Sequence, residues 1–232
     1  MGMNKKITVL TGAGVSAESG INTFRDAGGL WEGHDVMEIA SPQGFAKNPE
    51  LVLNFYNERR RQLSTVSPNL AHSALVELEE HFNVTIITQN VDDLHERAGS
   101  SNVIHLHGEL LKVRSTGYKS LILNWKEDLN LGDLCEKGYQ LRPYIVWFGE
   151  EVPLLEKAIA LTQTADILLI IGTSMQVYPA AGLVNYVKNE TPIYFIDPRP
   201  SVSENDFENL SIIPKKAAEG VPALVSDLIK NN

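Results

Sequence analysis

A short apolar run at residues 7–10, Ile-Thr-Val-Leu, leads straight into Thr11-Gly-Ala-Gly-Val-Ser-Ala17. No other junction in the chain constrains its fold as tightly. The run reads as a strand. Gly12, Gly14 and Ala17 fill the G-x-G-x-x-G/A pattern of a phosphate-binding turn. Glycine there permits the tight turn and lets backbone approach a pyrophosphate, and a helix N-terminus behind the loop is expected to offer N–H groups to the anion. The short pattern alone recurs by chance. Its continuation, Ser19-Gly-Ile-Asn-Thr-Phe-Arg-Asp26, makes it specific. Bulky, polar and charged groups stand where an ordinary dinucleotide fold would continue its helix.

Further apolar, β-branched runs at 84–88, 103–106, 145–148, 167–171 and 193–196 read as buried strands. Helical spacing separates many of them, at 71–82, 154–161 and 180–187. This alternation predicts an α/β fold with a Rossmann-like, doubly wound parallel sheet. Ligands of such sheets bind at the carboxyl ends of the strands. Here those ends carry Thr11-Gly-Ala-Gly14, Gln89-Asn-Val-Asp92, His107-Gly108, Gly149-Glu150, Gly172-Thr-Ser174 and Asp197-Pro198. An ordinary turn accounts for any one of these, but not for the set.

Two stretches break the alternation. Residues 31–70 hold helical material where a second strand is due, and 109–144 show no clear period. The expected division is therefore a sheet domain from 1–30, 71–108 and 145–232, with a small domain formed by two insertions, 31–70 and 109–144.

The formal net charge of −9 argues against nonspecific nucleic-acid binding, which needs a basic face. The single cysteine, Cys135, rules out an intramolecular disulfide and fits a reducing compartment. The apolar run after Lys5-Lys6 is too short for a signal-peptide core, and no run approaches membrane-spanning length. The expectation is a cytoplasmic protein with no membrane and no nucleic-acid partner.

The segments Gly12-Ala-Gly-Val-Ser-Ala-Glu-Ser-Gly-Ile21, Thr23-Phe-Arg-Asp26, Thr88-Gln-Asn-Val-Asp92, Leu106-His-Gly108, Arg142-Pro143, Val146-Trp-Phe-Gly-Glu150 and Gly172-Thr-Ser174 together closely resemble the sirtuin family. They occur in family order and cover most of the chain. The resemblance implies an NAD-dependent protein lysine deacylase that consumes NAD and acts on acyl-lysine proteins or peptides, with the two substrates meeting between the domains. It also implies release of nicotinamide and formation of 2′-O-acyl-ADP-ribose. His107 is then the general base, a role suited to histidine near neutral pH. Asn90 and Asp92 complete the implied catalytic set and orient the ribose and nicotinamide, with Gln89 beside them. Gly12, Ala13, Gly14, Ser16, Ala17, Glu18, Thr23, Phe24, Arg25, Trp31, Gly172, Thr173, Ser174 and Ala217 are the further implied cofactor contacts. Arg25 is expected on the phosphates and Phe24 as a shield against water. His105 is expected to point away from the site.

Val146, Trp147, Phe148, Gly149 and Glu150, with Val177 opposite, resemble the edges that grip an extended substrate peptide. Of Trp147 and Phe148, one is expected to face the core and one to line the acyl tunnel. Tyr56 and Arg59 share a helix face at i, i+3, and Tyr-x-x-Arg on this helix marks sirtuins that remove acidic acyl groups. A succinyl, malonyl or glutaryl group ends in a carboxylate that Arg can grip bidentately while Tyr donates a further hydrogen bond. A solvated basic helix is the plainer account of Arg59-Arg-Arg61 taken alone.

Most sirtuins fold the small domain around zinc held by two Cys-x-x-Cys pairs. The corresponding segments here read Val113-Arg-Ser-Thr-Gly-Tyr118 and Leu134-Cys-Glu-Lys-Gly138. One Cys and no His between 109 and 144 cannot make a tetrahedral structural site. The expectation is a zinc-free module packed by Leu121, Ile122, Leu123, Trp125, Leu129, Leu131 and Leu134. Competing readings are ADP-ribosyl transfer to protein, NAD hydrolysis, and a noncatalytic NAD-binding module.

Overall fold

The structure is a computed structural model that describes residues 5–22, 30–31 and 33–232. In chain order the elements are β1 (Lys6–Thr11), two 3-10 turns (Ala13–Val15 and Ala17–Ser19), β2 (Leu30–Trp31), β3 (His34–Asp35), α1 (Val36–Ile39), α2 (Pro42–Lys47), α3 (Pro49–Leu63) and α4 (Leu70–Glu79). They continue with β4 (Asn83–Thr88), α5 (Leu94–Ala98), β5 (Val103–His105), β6 (Gly108–Ser115), β7 (Ile122–Asn124), β8 (Leu141–Ile145), α6 (Leu155–Gln163) and β9 (Ile167–Ile171). A 3-10 segment (Ala180–Tyr186), β10 (Ile193–Ile196), a further 3-10 turn (Glu204–Asp206), β11 (Leu210–Ile213) and α7 (Ala217–Lys230) complete the chain.

Six strands form one parallel sheet in the order β11-β10-β9-β1-β4-β5. The order reverses direction between β1 and β9, which places the switch point at the carboxyl ends of those two strands. Side-chain alternation divides the apolar residues between two faces. Ile7, Val9, Leu169 and Ile171 pack with Leu75 and Leu78 of α4 and Val221 and Leu224 of α7. Leu10, Leu168 and Ile170 pack with Ala158 of α6 and Leu183 of the 3-10 segment. Helix α4 starts at Asn69, whose side chain accepts from the backbone N–H of Ala71 while the His72 ring accepts from that of Asn69, a capping box.

The strand expected at 145–148 is not in this sheet. Its first residue ends β8, which pairs antiparallel with β6 in a separate three-stranded sheet, β7-β6-β8. Residues 146–150 turn instead, fastened by Val146 N–H to the His107 carbonyl at 2.8 Å and Phe148 N–H to that of Ala40 at 2.9 Å. The helix expected behind the glycine loop is likewise replaced by the two 3-10 turns, and Gly20 closes the second at φ 99°.

The small sheet rests on α3. Leu53 packs with Val113, Leu129, Cys135 and Leu141. Of the residues expected to pack this module, Leu129 is fully buried, Leu121 and Trp125 pack at its edge, and Ile122, Leu123, Leu131 and Leu134 are exposed. The remaining hold is polar. Buried Asn57 of α3 grips the Leu129 backbone from both sides, donating to its carbonyl at 3.0 Å and accepting from its N–H at 2.8 Å. Arg60 donates to the Asn57 amide oxygen at 2.7 Å and to the Leu110 carbonyl at 3.2 Å. Where the two Cys-x-x-Cys segments would meet, the Cys135 thiol donates to Ser115 Oγ at 3.3 Å. That hydroxyl also accepts from the backbone of Gly117 and Tyr118.

Candidate active site

The carboxyl ends of the parallel strands open onto one cavity of about 620 Å³, within the range of small-molecule sites. The glycine loop forms its floor. Gly12 N–H donates to the Ile171 carbonyl at 3.0 Å, and Gly14 N–H to that of Gly172 at 2.8 Å. The loop is therefore zipped to the end of β9. A Cβ on Gly14 would stand 2.6 Å from Gly172 Cα, and one on Gly12 2.8 Å from the Gly172 carbonyl oxygen. These contacts show why the loop needs glycine, and the two 3-10 turns begin at Ala13 and Ala17, where first-turn N–H groups lie outside the turn's own bonding. Glu18 accepts from Ala218 N–H at 2.7 Å and so caps α7 against the loop, with Ala217 buried beside it.

A buried hydrogen-bond chain crosses the floor. Asn90 donates through Nδ2 to Ser16 Oγ at 3.1 Å, and Ser16 donates to Asp92 Oδ2 at 3.0 Å. The other Asp92 oxygen accepts from Leu94 N–H at 3.1 Å. Burial pushes the Asp92 carboxyl up from its ordinary range, partly opposed by the Leu94 and Ser16 hydrogen bonds. Gln89 donates to Thr173 Oγ1 at 3.1 Å and so ties β4 to β9.

His107 follows β5 at the cavity wall. Its Nδ1 lies 3.0 Å from the Gln89 carbonyl. A carbonyl can only accept, so Nδ1 carries the proton and Nε2 keeps its lone pair. Burial lowers the His107 pKa, opposed by the Gln89 contact. His105 does not point to the opposite side. Residues two apart share a face of a strand, and His105 Nδ1 meets the adjacent Asn90 carbonyl at 3.1 Å. Its Nε2 meets Glu96 at 2.7 Å, and although burial opposes the charge, this contact raises the His105 pKa overall. The two histidines thus clamp neighbouring carbonyls of one loop.

The 146–150 turn and α3 form the inner wall. Trp147 is buried and Phe148 exposed, and both line the cavity. Glu150 accepts from Arg142 at 2.8 and 3.0 Å, from Arg114 at 2.5 Å and from Trp147 N–H at 2.9 Å. Burial raises the Glu150 pKa, but these donors, Arg142 first, hold it below the ordinary carboxylate range. Tyr56 and Arg59 line the same wall. The Arg59 side chain is 16% exposed, reaches Glu58 at 3.1 Å and stacks 4.4 Å from the Phe55 ring centre. Its Nε and Nη1 are buried without a hydrogen-bond partner among the described residues.

Gly12, Ala13, Gly14, Ser16, Ala17, Glu18, Trp31, Tyr56, Arg59, Gln89, Asn90, Asp92, His107, Val146, Trp147, Phe148, Gly149, Glu150, Gly172, Thr173, Ser174, Val177 and Ala217 all border this one cavity. Thr23, Phe24 and Arg25 lie outside the described residues. Sequence reasoning missed two groups, Asn69 and Arg114. Asn69 donates to the Val15 carbonyl at 2.8 Å and to Ser19 Oγ at 3.0 Å, which ties α4 to the loop, and its position three residues before His72 was the available signal. Asp197, already marked by its place after a strand, follows β10 and borders the cavity, an acidic residue arriving far later in the chain than the dinucleotide pattern expects. Arg114 gave no sequence signal.

A glycine loop at the switch point of a parallel sheet, facing a half-buried histidine across an Asn-Ser-Asp chain, defines an NAD-site protein of sirtuin type. The Sir2 family model matches residues 12–179, and the chain belongs to that family. It is 58% identical over 226 residues to an NAD-dependent protein deacylase of Helicobacter pylori, covering 97% of this chain and 96% of that one. A solved Sir2 homolog–NAD complex superposes with a TM-score of 0.87 at 43% identity, over 98% of this chain and 91% of that one. A more distant structure, Sir2 bound to acetylated peptide, gives 0.79 at 28% identity over 97% and 93%. The chain is accordingly an enzyme, an NAD-dependent protein deacylase.

Proposed function

We propose that this deacylase removes acidic acyl groups of the succinyl and malonyl type from lysine, with acetyl as a second substrate. The buried, unpartnered Nε and Nη1 of Arg59 carry the reading. Glu58 takes only Nη2 of this guanidinium; its remaining buried N–H groups are costly without an acceptor, and a carboxylate entering the cavity would supply one. Tyr56 beside it offers one more donor. An acetyl methyl would leave the same groups unanswered.

His107 acts as general base through Nε2, and the Gln89 carbonyl fixes its tautomer. Asn90 and Asp92, linked by Ser16, orient polar groups of the sugar and amide. The N–H groups of Ala13 and Ala17, together with Thr173 and Ser174, hold the phosphates, and Gly12, Gly14 and Gly172 allow the backbone to close around them. NAD, when bound, supplies a ribose that parts from nicotinamide and takes over the acyl group. Phe148 and Val177 line the cavity and face the peptide; a peptide substrate is supported by the distant relative, solved bound to acetylated peptide.

Matched acetyl-, succinyl- and malonyl-lysine peptides, offered with NAD and followed by mass, test this. Arg59→Met is expected to lower the succinyl-to-acetyl ratio of kcat/KM by about 30- to 100-fold, the scale of a charge-assisted pair. Equal loss on both peptides would reject the acidic preference. 2′-O-Acyl-ADP-ribose as product would exclude simple NAD hydrolysis and ADP-ribosyl transfer to protein.

The division into a sheet domain and a twice-inserted small domain belongs to the same proposal, with the small module metal-free. Among the described residues no three His, Cys, Asp or Glu groups converge to hold a metal. The Cys135–Ser115 contact joins the two segments that match the Cys pairs, and the Asn57 grip fastens Leu129 to α3. Asn57→Ala strands the Leu129 backbone and Arg60 at once, and should cost about 3 kcal/mol, or roughly 6–12 °C in Tm. A metal chelator should leave the wild-type Tm unchanged. Thermal melts decide both, and a chelator-induced drop would show a bound metal holding the fold.

A further inference from the structure

Tyr56 and Trp147 are far apart in sequence and meet at the inner wall of the cavity, where the indole Nε1–H donates to the Tyr56 hydroxyl oxygen at 2.9 Å. An indole N–H can only donate. The contact therefore assigns the phenol oxygen as acceptor and sends its own hydrogen elsewhere. No described residue accepts that hydrogen, and the Tyr56 ring borders the cavity next to Arg59. Trp147 is itself immobilised. The Arg142 guanidinium carbon lies 3.2 Å from its ring centre, Glu150 fastens both Arg142 and the Trp147 backbone, and Phe45 packs on the ring at 5.3 Å.

We propose that Trp147 is a specificity-determining positioning residue: its indole N–H occupies the Tyr56 oxygen and turns the phenol hydrogen toward the carboxylate end of an acidic acyl-lysine. This rests on the acidic-acyl reading above. Burial raises the Tyr56 pKa above its ordinary value, so the phenol keeps a proton to donate. Without the indole donor the hydroxyl can rotate to accept from Arg59, and the pocket then loses one donor and part of another. An acetyl group, which has no terminal acceptor, does not register that change.

The test is a double-mutant cycle of Trp147→Phe and Tyr56→Phe, read as the succinyl-to-acetyl ratio of kcat/KM on one peptide sequence. Trp147→Phe should lower that ratio about 5- to 10-fold, the scale of one ordinary hydrogen bond, since the phenol itself remains, mainly through the succinyl KM. In the Tyr56→Phe background the same change should shift the ratio less than about twofold, since contacting residues are non-additive. If the phenylalanine variant does not fold, benzothienylalanine at 147 removes the N–H while keeping the ring's shape. An unchanged ratio, or equal shifts with and without the Tyr56 hydroxyl, would overturn the proposal. Arg59→Met run alongside separates the two failures. If it leaves the ratio intact, the acidic-acyl reading falls and takes this one with it. If it and Tyr56→Phe collapse the ratio while the Trp147 variants do not, only the positioning role falls.

Discussion

His107→Asn should lower acyl transfer between about 100- and 10,000-fold, the range expected for a lost general base. Asparagine is close in size, and its amide N–H can still meet the Gln89 carbonyl that Nδ1 now contacts at 3.0 Å. What it lacks is the basic lone pair of Nε2. The loss should therefore appear as missing 2′-O-acyl-ADP-ribose, while NAD binding, followed by calorimetry, stays measurable. The pH profile supplies an independent readout. A base works when deprotonated, so activity rises with pH through the His107 pKa. Burial lowers that pKa from the ordinary 6.5. The acid limb of kcat/KM should then have its midpoint below about 6.5 and a plateau above it, and His107→Asn should abolish the limb. A midpoint above the ordinary value would mean that the burial argument fails, or that another group titrates.

The parallel sheet was legible because its strands are short, β-branched and separated by helical spacing. The site was legible because polar residues recur at the ends of those strands. The run at 145–148 misled for the same reason: Ile, Val, Trp and Phe carry strand propensity, but tertiary contacts decide. Val146 bonds the His107 carbonyl, and Trp147 is turned inward by Arg142 and Glu150. Helix α7 was missed because Gly220 and Pro222 weaken its local signal, whereas Val221, Leu224 and Val225 bury against the sheet and override it. The small sheet hid for a different reason. Its hold comes from Asn57 and Arg60 reaching backbone distant in the chain, and no periodicity reports such a bond. The Trp147–Tyr56 contact is of the same kind. Each residue was singled out, but their joining is tertiary.

Gly172→Ala should cost more than the strain of its backbone alone. At φ 61° Gly172 occupies left-handed space, and a Cβ there would stand 2.4 Å from Val15 N and 2.5 Å from Gly14 C. Both contacts are backbone, so no side chain can yield. Relief requires the loop to leave β9, which breaks the 2.8 Å bond from Gly14 N–H to the Gly172 carbonyl. That bond positions the turn on which the proposed phosphate donors of Ala13 and Ala17 lie. NAD affinity is expected to fall by at least about 100-fold, with a loss of about 3 kcal/mol or more in stability. Gly132 and Gly138 provide the control. They have φ of 93° and 77°, and a Cβ at either would meet nothing within 4 Å. Alanine at those positions should cost about 1 kcal/mol and leave NAD affinity unchanged. Calorimetric NAD titration together with thermal melts of the three variants separates the effects. If Gly172→Ala behaved like the two controls, the close approach of the glycine loop to β9 would not be what holds the NAD site in shape.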